Sequence, residues 1–499
     1  MSYSRYNTTT ANRTKLRTPQ DYSPFSGMCT VCTDDCPGPC EIGRSAMEGS
    51  EMLYPTAKAT SQMASEKDYP VDFSHLNING RCFGNDGTTP DKLAYAHADL
   101  SCEIGMGEEK IKLKAPYVFP AIAKLNWKSY YGGAALAGVV AVIGESLPTS
   151  DPEAVIENGQ VLHLPRLKAM YDAFYEYYQG YGALFLQANP DDDRMGLLEY
   201  AIEKVGFDAV ELKLAQAAKG IQGMGKVPTL EKAMELKKKG FEVYPDPEDP
   251  SVQQSWQAGT AEPFYKIDSL PDWNEEWLVK RVGALREKGA KFVSVKTGPF
   301  RPADMARTLK MASRAGVDLV LVDTAGGGSG NSPIRMMNEW GYPPVYMEKI
   351  LLQICGKMQQ KGMPLPAIAI AGGFTLEDHV FKALALGSPF ITLVGMGRSP
   401  MAAAMVGDTN AEAMDTGIPE LKGRYGEKVE DIPRGAVGVY NYINRINTGL
   451  RQLMALCRKY TLSHIQPNDL VPLTRKAAEI TGIPFAMEQD MEEIDNIFE

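Results

Sequence analysis

FVSVKTGPFRPADMARTLKMASRAGVDLVLVD, residues 292–323, sets two short apolar runs on either side of an amphipathic stretch. The runs at 292–296 and 319–323 have the length of strands. Between them, residues 302–315 repeat apolar positions at intervals of three and four, the period of a helix with one buried face. Strand, helix and strand in this order imply a parallel sheet covered on its outside. The same unit can be read along most of the chain. Further short apolar runs fall at 117–121, 137–143, 183–187, 209–214, 367–371 and 390–394, each followed by Gly, Pro, Asn or a charged residue. A second helical stretch lies at 275–288. Eight such units predict an α/β fold closed into a (β/α)8 TIM barrel. The rival is an open doubly wound sheet, but no GxGxxG follows the first strand.

Around this core the 499 residues divide into three regions. Residues 1–105 are rich in Cys, Gly, Pro, Asn and Asp with little periodicity; residues 106–430 carry the barrel; residues 431–499 read as a helical extension. One connection is out of scale. Nearly eighty residues separate the fourth and fifth strands and include YPDPEDPSVQQSW at 244–256, which predicts a large loop over the barrel mouth. Hydrophobic residues make up 44% and charged residues 23%, an ordinary globular balance, and the formal charge of −10 disfavours nucleic acid and anionic membrane as partners. No apolar run reaches the roughly 18 residues of a membrane helix, and the first twenty residues lack the apolar core of a signal peptide. These features predict a soluble cytoplasmic protein.

Four of the eight cysteines are Cys29, Cys32, Cys36 and Cys40, with two prolines and a glycine between the last pair. Four thiolates within so short a stretch can wrap an iron–sulfur cubane, each iron taking one sulfur. Structural zinc and unligated redox thiols are the alternatives. Cys82 and Cys102 read as small buried residues, with substitute ligation as the other possibility. The five histidines have no ligand spacing, and His379 reads as a helix residue.

The remaining chemistry clusters at the ends of predicted strands. GGGSGNSP at 326–333 follows the sixth strand; its glycines let backbone N–H groups approach a ligand, and Ser329 and Ser332 add hydroxyls. AGGF at 371–374 and VGMGR at 394–398 end the seventh and eighth strands, where barrels commonly hold a phosphate, and Arg398 is a candidate to grip it. Lys296 ends the fifth strand and should face the mouth, available to a cofactor or a substrate carboxylate. Glu211, Lys213 and Gln216 place polar groups after the fourth strand in the same way.

Four segments taken together resemble the FMN-binding domain of glutamate synthases. VELKLAQAAKGIQGMGKV at 210–227, VSVK at 293–296, DTAGGGSGNSP at 323–333 and AGGF at 371–374 match that family's motifs in order and spacing, and the likeness extends over roughly residues 115–475. The resemblance implies a flavin barrel in which reduced FMN delivers hydride to a 2-imino acid made from 2-oxoglutarate and ammonia. Lys296, Gly327, Gly328, Ser329, Gly372, Gly373 and Gly395 would then hold FMN. Gln216, Lys219 and Lys296 would line the 2-oxoacid pocket, with Lys296 and Gln216 carrying catalysis. Cys29, Cys32, Cys36 and Cys40 would hold a cluster of the 4Fe-4S form, reduced by ferredoxin or a reductase subunit. Three departures stand out. The sequence opens Met1-Ser2-Tyr3 where glutaminase-bearing members have their cysteine nucleophile, so ammonia is expected from another source or another subunit. The family's cluster cysteines after the last barrel strand are missing. The loop after Lys296 reads Thr-Gly-Pro-Phe-Arg. The competing expectations are an N-methylglutamate synthase type subunit using methylamine, and a noncatalytic electron-transfer subunit; each fits an oligomeric assembly.

Overall fold

The computed structural model describes residues 69–121, 126–214, 224–271, 273–325, 327, 340–409 and 417–499. Eight parallel strands close into a barrel: β1 Tyr117–Phe119, β2 Val140–Ile143, β3 Ala183–Ala188, β4 Ala209–Lys213, β5 Phe292–Thr297, β6 Leu319–Asp323, β7 Ala367–Ala371 and β8 Ile391–Gly395. Every strand expected from the apolar runs is present. The helices used below are α1 Trp127–Ala137, α2 Pro165–Tyr175, α3 Pro190–Arg194, α4 Glu275–Glu287, α5 Pro302–Ala315, α6 Pro344–Gln360, α7 Glu377–Gly387, α8 Arg398–Thr409 and α9 Arg434–Leu456. None among the described residues is long and apolar enough to cross a membrane.

The β5–α5–β6 unit shows why the local sequence folds this way. Pro302 occupies the first turn of α5, where a missing N–H costs nothing. Met305, Leu309 and Ala312 bury one face, and Gly316 at φ +69° ends the helix by donating to Ala312 and Ser313. On the strands, side chains alternate between two cores. Val293 and Val295 face the helices, whereas Phe292, Leu319, Leu321, Phe185 and Ala369 fill the barrel. Each large side chain buried in this way contributes about 1.5–3 kcal/mol.

A hairpin of Cys102–Ile104 and Ile111–Leu113 closes the N-terminal end, adding Ile104, Ile111 and Leu113 to the inner core. Asp318 ties it down: one carboxylate oxygen accepts from Met106 N at 2.8 Å, the other from Val293 N at 2.9 Å. With that end plugged, the C-terminal ends of the strands form the open mouth.

Two expectations are corrected. The stretch between β4 and β5 is a folded insertion, not a loop. Met224–Val227, Phe264–Ile267 and Glu242–Tyr244 form an antiparallel sheet with Phe264–Ile267 in the middle, carrying helices Leu230–Lys238 and Pro250–Gln257. Val227, Ala233, Phe241, Val243 and Phe264 are buried in it and continue the helix-facing core of the barrel. Cys82 is exposed rather than buried, while Cys102 lies in the hairpin, where burial pushes its thiol up to about 12. No group of three or more metal-ligating side chains occurs among the described residues. Cys29, Cys32, Cys36 and Cys40 lie outside them.

Residues before and after the barrel are joined. Leu76–Ile78 pairs antiparallel with Leu470–Pro472, further bridges link Asp86 to Lys459 and Asp99 to Thr461, and the buried Lys459 ammonium pairs with Asp86. α9 lies against α1 and α8 with backbones in close approach: a Cβ on Gly438 would come 2.6 Å from Ala403 O, and one on Gly407 2.6 Å from Arg434 O. Asp408 seals the junction, accepting from Gly435 N, Asn126 and Ser129. By contrast, Gly283 on the outside of α4 has nothing near its would-be Cβ. Gly438→Val should therefore lose about 1–3 kcal/mol by overpacking, and Gly283→Ala should gain roughly 0.5–1 kcal/mol from helix propensity. Denaturant unfolding of the two variants checks the contrast.

Candidate functional site

Alternation along the strands decides which polar side chains enter the barrel. On β5 the inward positions are Phe292, Ser294 and Lys296; on β4 they are Ala209, Glu211 and Lys213. Moving toward the mouth, both strands therefore turn from apolar to charged. All four polar residues are buried.

The deeper layer is a hydrogen-bonded carboxyl. Glu211 accepts from the Gln187 amide at 2.5 Å and from Ser294 Oγ at 2.9 Å. Burial pushes its carboxyl above the usual range, opposed chiefly by Lys296. The upper layer is a pair of buried ion pairs. Lys296 Nζ lies 3.5 Å from Asp323 Oδ2 at the end of β6, with both side chains at most 5% exposed. Lys213, closing β4, pairs with Glu145 in the loop after β2.

On the far side of the mouth the backbones of β6, β7 and β8 converge on glycines. Gly395 lies against Ala371, where a Cβ would meet the alanine methyl at 2.6 Å. Gly372, at φ +151°, presses on Thr324, whose amide and hydroxyl both bond to Ala371 O at 2.8 and 2.7 Å. Gly373, at φ +94°, faces open space. Gly327 follows β6 with its Cα against the Asp323 carboxylate. Arg398 opens α8, one residue after the VGMG run. Partial burial holds its guanidinium below its ordinary value, and the field of Asp323 acts against this. A guanidinium at this position presents a fork of donors suited to a planar or tetrahedral anion.

Of the residues expected from sequence, Lys296, Gly327, Gly372, Gly373, Gly395 and Arg398 are brought to this one mouth. Gln216, Lys219, Gly328 and Ser329 lie outside the described residues. His379 sits on α7, where Nδ1 accepts from Thr375 N at 3.2 Å, a helix-end contact. Sequence reading missed Glu145, Gln187, Ser294 and the pairing role of Asp323. The signal for Ser294 was available: it stands two residues before Lys296, on the same strand face. Glu145 carried no such signal, since only the fold brings its loop to β4.

The fold and this mouth define a (β/α)8 barrel with a charged, glycine-lined opening. Residues 252–460 match the conserved region in glutamate synthase. A "glutamate synthase large subunit-like protein" of Rhizobium meliloti (strain 1021) is 26% identical over 242 residues, 43% of this chain and 52% of that protein. The chain therefore spans about half the length of this curated relative. Among solved structures, the flavin-binding domain of baker's yeast flavocytochrome b2 is similar at 15% identity and a TM-score of 0.48, covering 89% of this chain and 88% of that one. A soluble mutant of (S)-mandelate dehydrogenase from Pseudomonas putida is similar at 15% identity and a TM-score of 0.44, over 80% of this chain and 88% of that chain.

The ion pairs allow a direct check. Lys296→Met leaves the Asp323 carboxylate buried beside an apolar chain and should cost about 3–5 kcal/mol, whereas Lys296→Met with Asp323→Leu should recover most of it. Guanidinium unfolding of the single and double variants measures the difference.

Proposed function

We propose that this chain is an FMN-dependent oxidoreductase of the glutamate synthase type, which reductively aminates 2-oxoglutarate or a related 2-oxoacid at the barrel mouth. The observation that carries the reading is the convergence of Lys296, Arg398 and the Gly372, Gly373 and Gly395 cradle in a chain that matches the glutamate synthase region. The residues fit FMN. Side chains at Gly372 and Gly395 would collide with Thr324 and Ala371, so the β7 and β8 ends stay low and leave room above them. Arg398 and the backbone amides near Gly373 would hold the phosphate. When bound, FMN supplies the hydride chemistry.

The chain's own residues do the rest. Lys296, held between Asp323 and the carboxyl of Glu211 below, offers a fixed ammonium to a carboxylate or carbonyl oxygen of the 2-oxoacid. Glu211 is anchored by Gln187 and Ser294, which prevents it from swinging up to neutralise Lys296. The plugged lower end excludes water from beneath. Gln216 and Lys219 would add substrate contacts by the resemblance of their segment. Cys29, Cys32, Cys36 and Cys40 would hold an iron–sulfur cluster, a reading supported by their spacing alone. Ferredoxin or a reductase subunit is the matching electron donor, and a separate subunit the source of ammonia.

The test is anaerobic purification followed by analysis of flavin, iron and sulfide, then turnover of 2-oxoglutarate with a reduced donor. Ammonia and methylamine are compared as amines. Bound FMN with ammonia-dependent glutamate formation is the expected result. Preference for methylamine would instead make the chain an N-methylglutamate synthase type subunit. A protein that takes up no flavin would rule the reading out. Arg398→Ala should lower flavin content, and Lys296→Arg should keep flavin but lose on the order of 10²-fold in kcat/KM, because a longer planar cation cannot keep the ammonium's position.

A further inference from the structure

The three aspartates of α3 each hold a different part of the molecule. Asp191 accepts from Ser269 N and Oγ at 3.2 and 2.8 Å, fastening the exit of the insertion. Asp193 pairs with Arg281 of α4 at 2.5 Å. Asp192 turns inward and is buried. Its Oδ2 accepts from Ser146 N at 2.7 Å, while Asn189 reaches the Ser146 hydroxyl at 3.4 Å and caps α3 by accepting from Asp192 N at 2.8 Å.

Ser146 needs this support. It sits at φ +63°, a left-handed conformation that a residue with a Cβ adopts only under local constraint. The preceding residue is Glu145, which pairs with Lys213 on the mouth-facing end of β4. The direction of Glu145 therefore depends on the backbone angle at Ser146.

We propose that Asp192 is a positioning residue for the mouth: it holds Ser146 in the left-handed turn and so fixes Glu145 against Lys213. This inference rests on the reading of the mouth as the reaction site. The geometry also makes the arrangement pH-dependent. Burial pushes the Asp192 carboxyl up to about 7; the Ser146 contact opposes this, the charge of Glu145 reinforces it, and Lys266 of the inserted sheet opposes it. Above about pH 7 the carboxylate is a charge-assisted acceptor for Ser146 N; below, it is a weaker neutral one. Its folded pKa is raised above the unfolded value, so folding takes up a proton between about pH 4 and 7. This group's contribution to stability therefore falls as pH rises through that window.

Three variants test the proposal: Asp192→Asn, Asp192→Ala, and Asp192→Ala combined with Ser146→Gly. Asp192→Asn keeps an acceptor but cannot ionise, so its melting temperature relative to the native chain should rise between pH 5 and pH 8. Its kcat/KM should also lose the limb that climbs through about pH 7. Asp192→Ala should lose on the order of 10²-fold in kcat/KM and melt at a lower temperature. Ser146→Gly, which adopts the left-handed turn without help, should restore both. Restoration is what a merely structural aspartate would not give. If Ser146→Gly restores neither quantity, or if the melting difference for Asp192→Asn is the same at pH 5 and pH 8, the proposal is overturned. The melting measurements need no substrate, so a failure of the proposed reaction would leave this test intact.

Discussion

Closing eight parallel strands into a barrel removes every sheet edge, and the price is that each strand is buried on both faces. The structure follows from that constraint. Strands such as β6 and β7 must be apolar on the helix-facing side, and any polar residue on the inner side must find a partner within the barrel. Glu211, Lys296 and Asp323 meet the second requirement with one another and with Gln187 and Ser294. The charged layer can exist only near the mouth. The opposite end is sealed with Ile104, Ile111 and Leu113, where an unpaired charge would have neither water nor a counterion.

This constraint also explains how much could be read in advance. All eight strands were legible because double burial leaves continuous apolar runs bounded by turn residues. Lys296 was legible because a lysine closing such a run has only the mouth to face. Asp323 was visible as the end of its run, but its pairing was not: β5 and β6 align Lys296 with Leu321, and the stagger of the barrel carries Asp323 one inward step further. Register of this kind depends on closure as a whole. The insertion was misread for a different reason. Its prolines and acids look like a loop, while the alternation that forms its sheet is spread over three strands of three or four residues each, too short to register as periodicity.

The glycines divide in a similar way. Those at 372, 373 and 395 stood out because they follow strands, and their surroundings show that the spacing serves two ends. Gly372 and Gly395 permit close approach between neighbouring strand ends, and Gly373 presents backbone to open space. The glycines of α8 and α9 looked like ordinary helix residues, yet Gly407 and Gly438 let two helices cross with main chains almost touching. A glycine's purpose depends on what lies opposite it, and a single sequence contains no such information.

The pairing of Leu76–Ile78 with Leu470–Pro472 has a consequence for how the protein is made. The whole barrel lies between its two halves, so during translation the earlier segment must wait, its partner unmade, until all eight barrel strands have been made. Between those moments the barrel strands emerge in order, with β8 still to come before β1 gains its second neighbour. Contacts so distant in sequence form slowly and leave apolar strand edges open in the interval. Synthesis rate and chaperone supply should therefore govern the yield of this protein more than the final strength of its core.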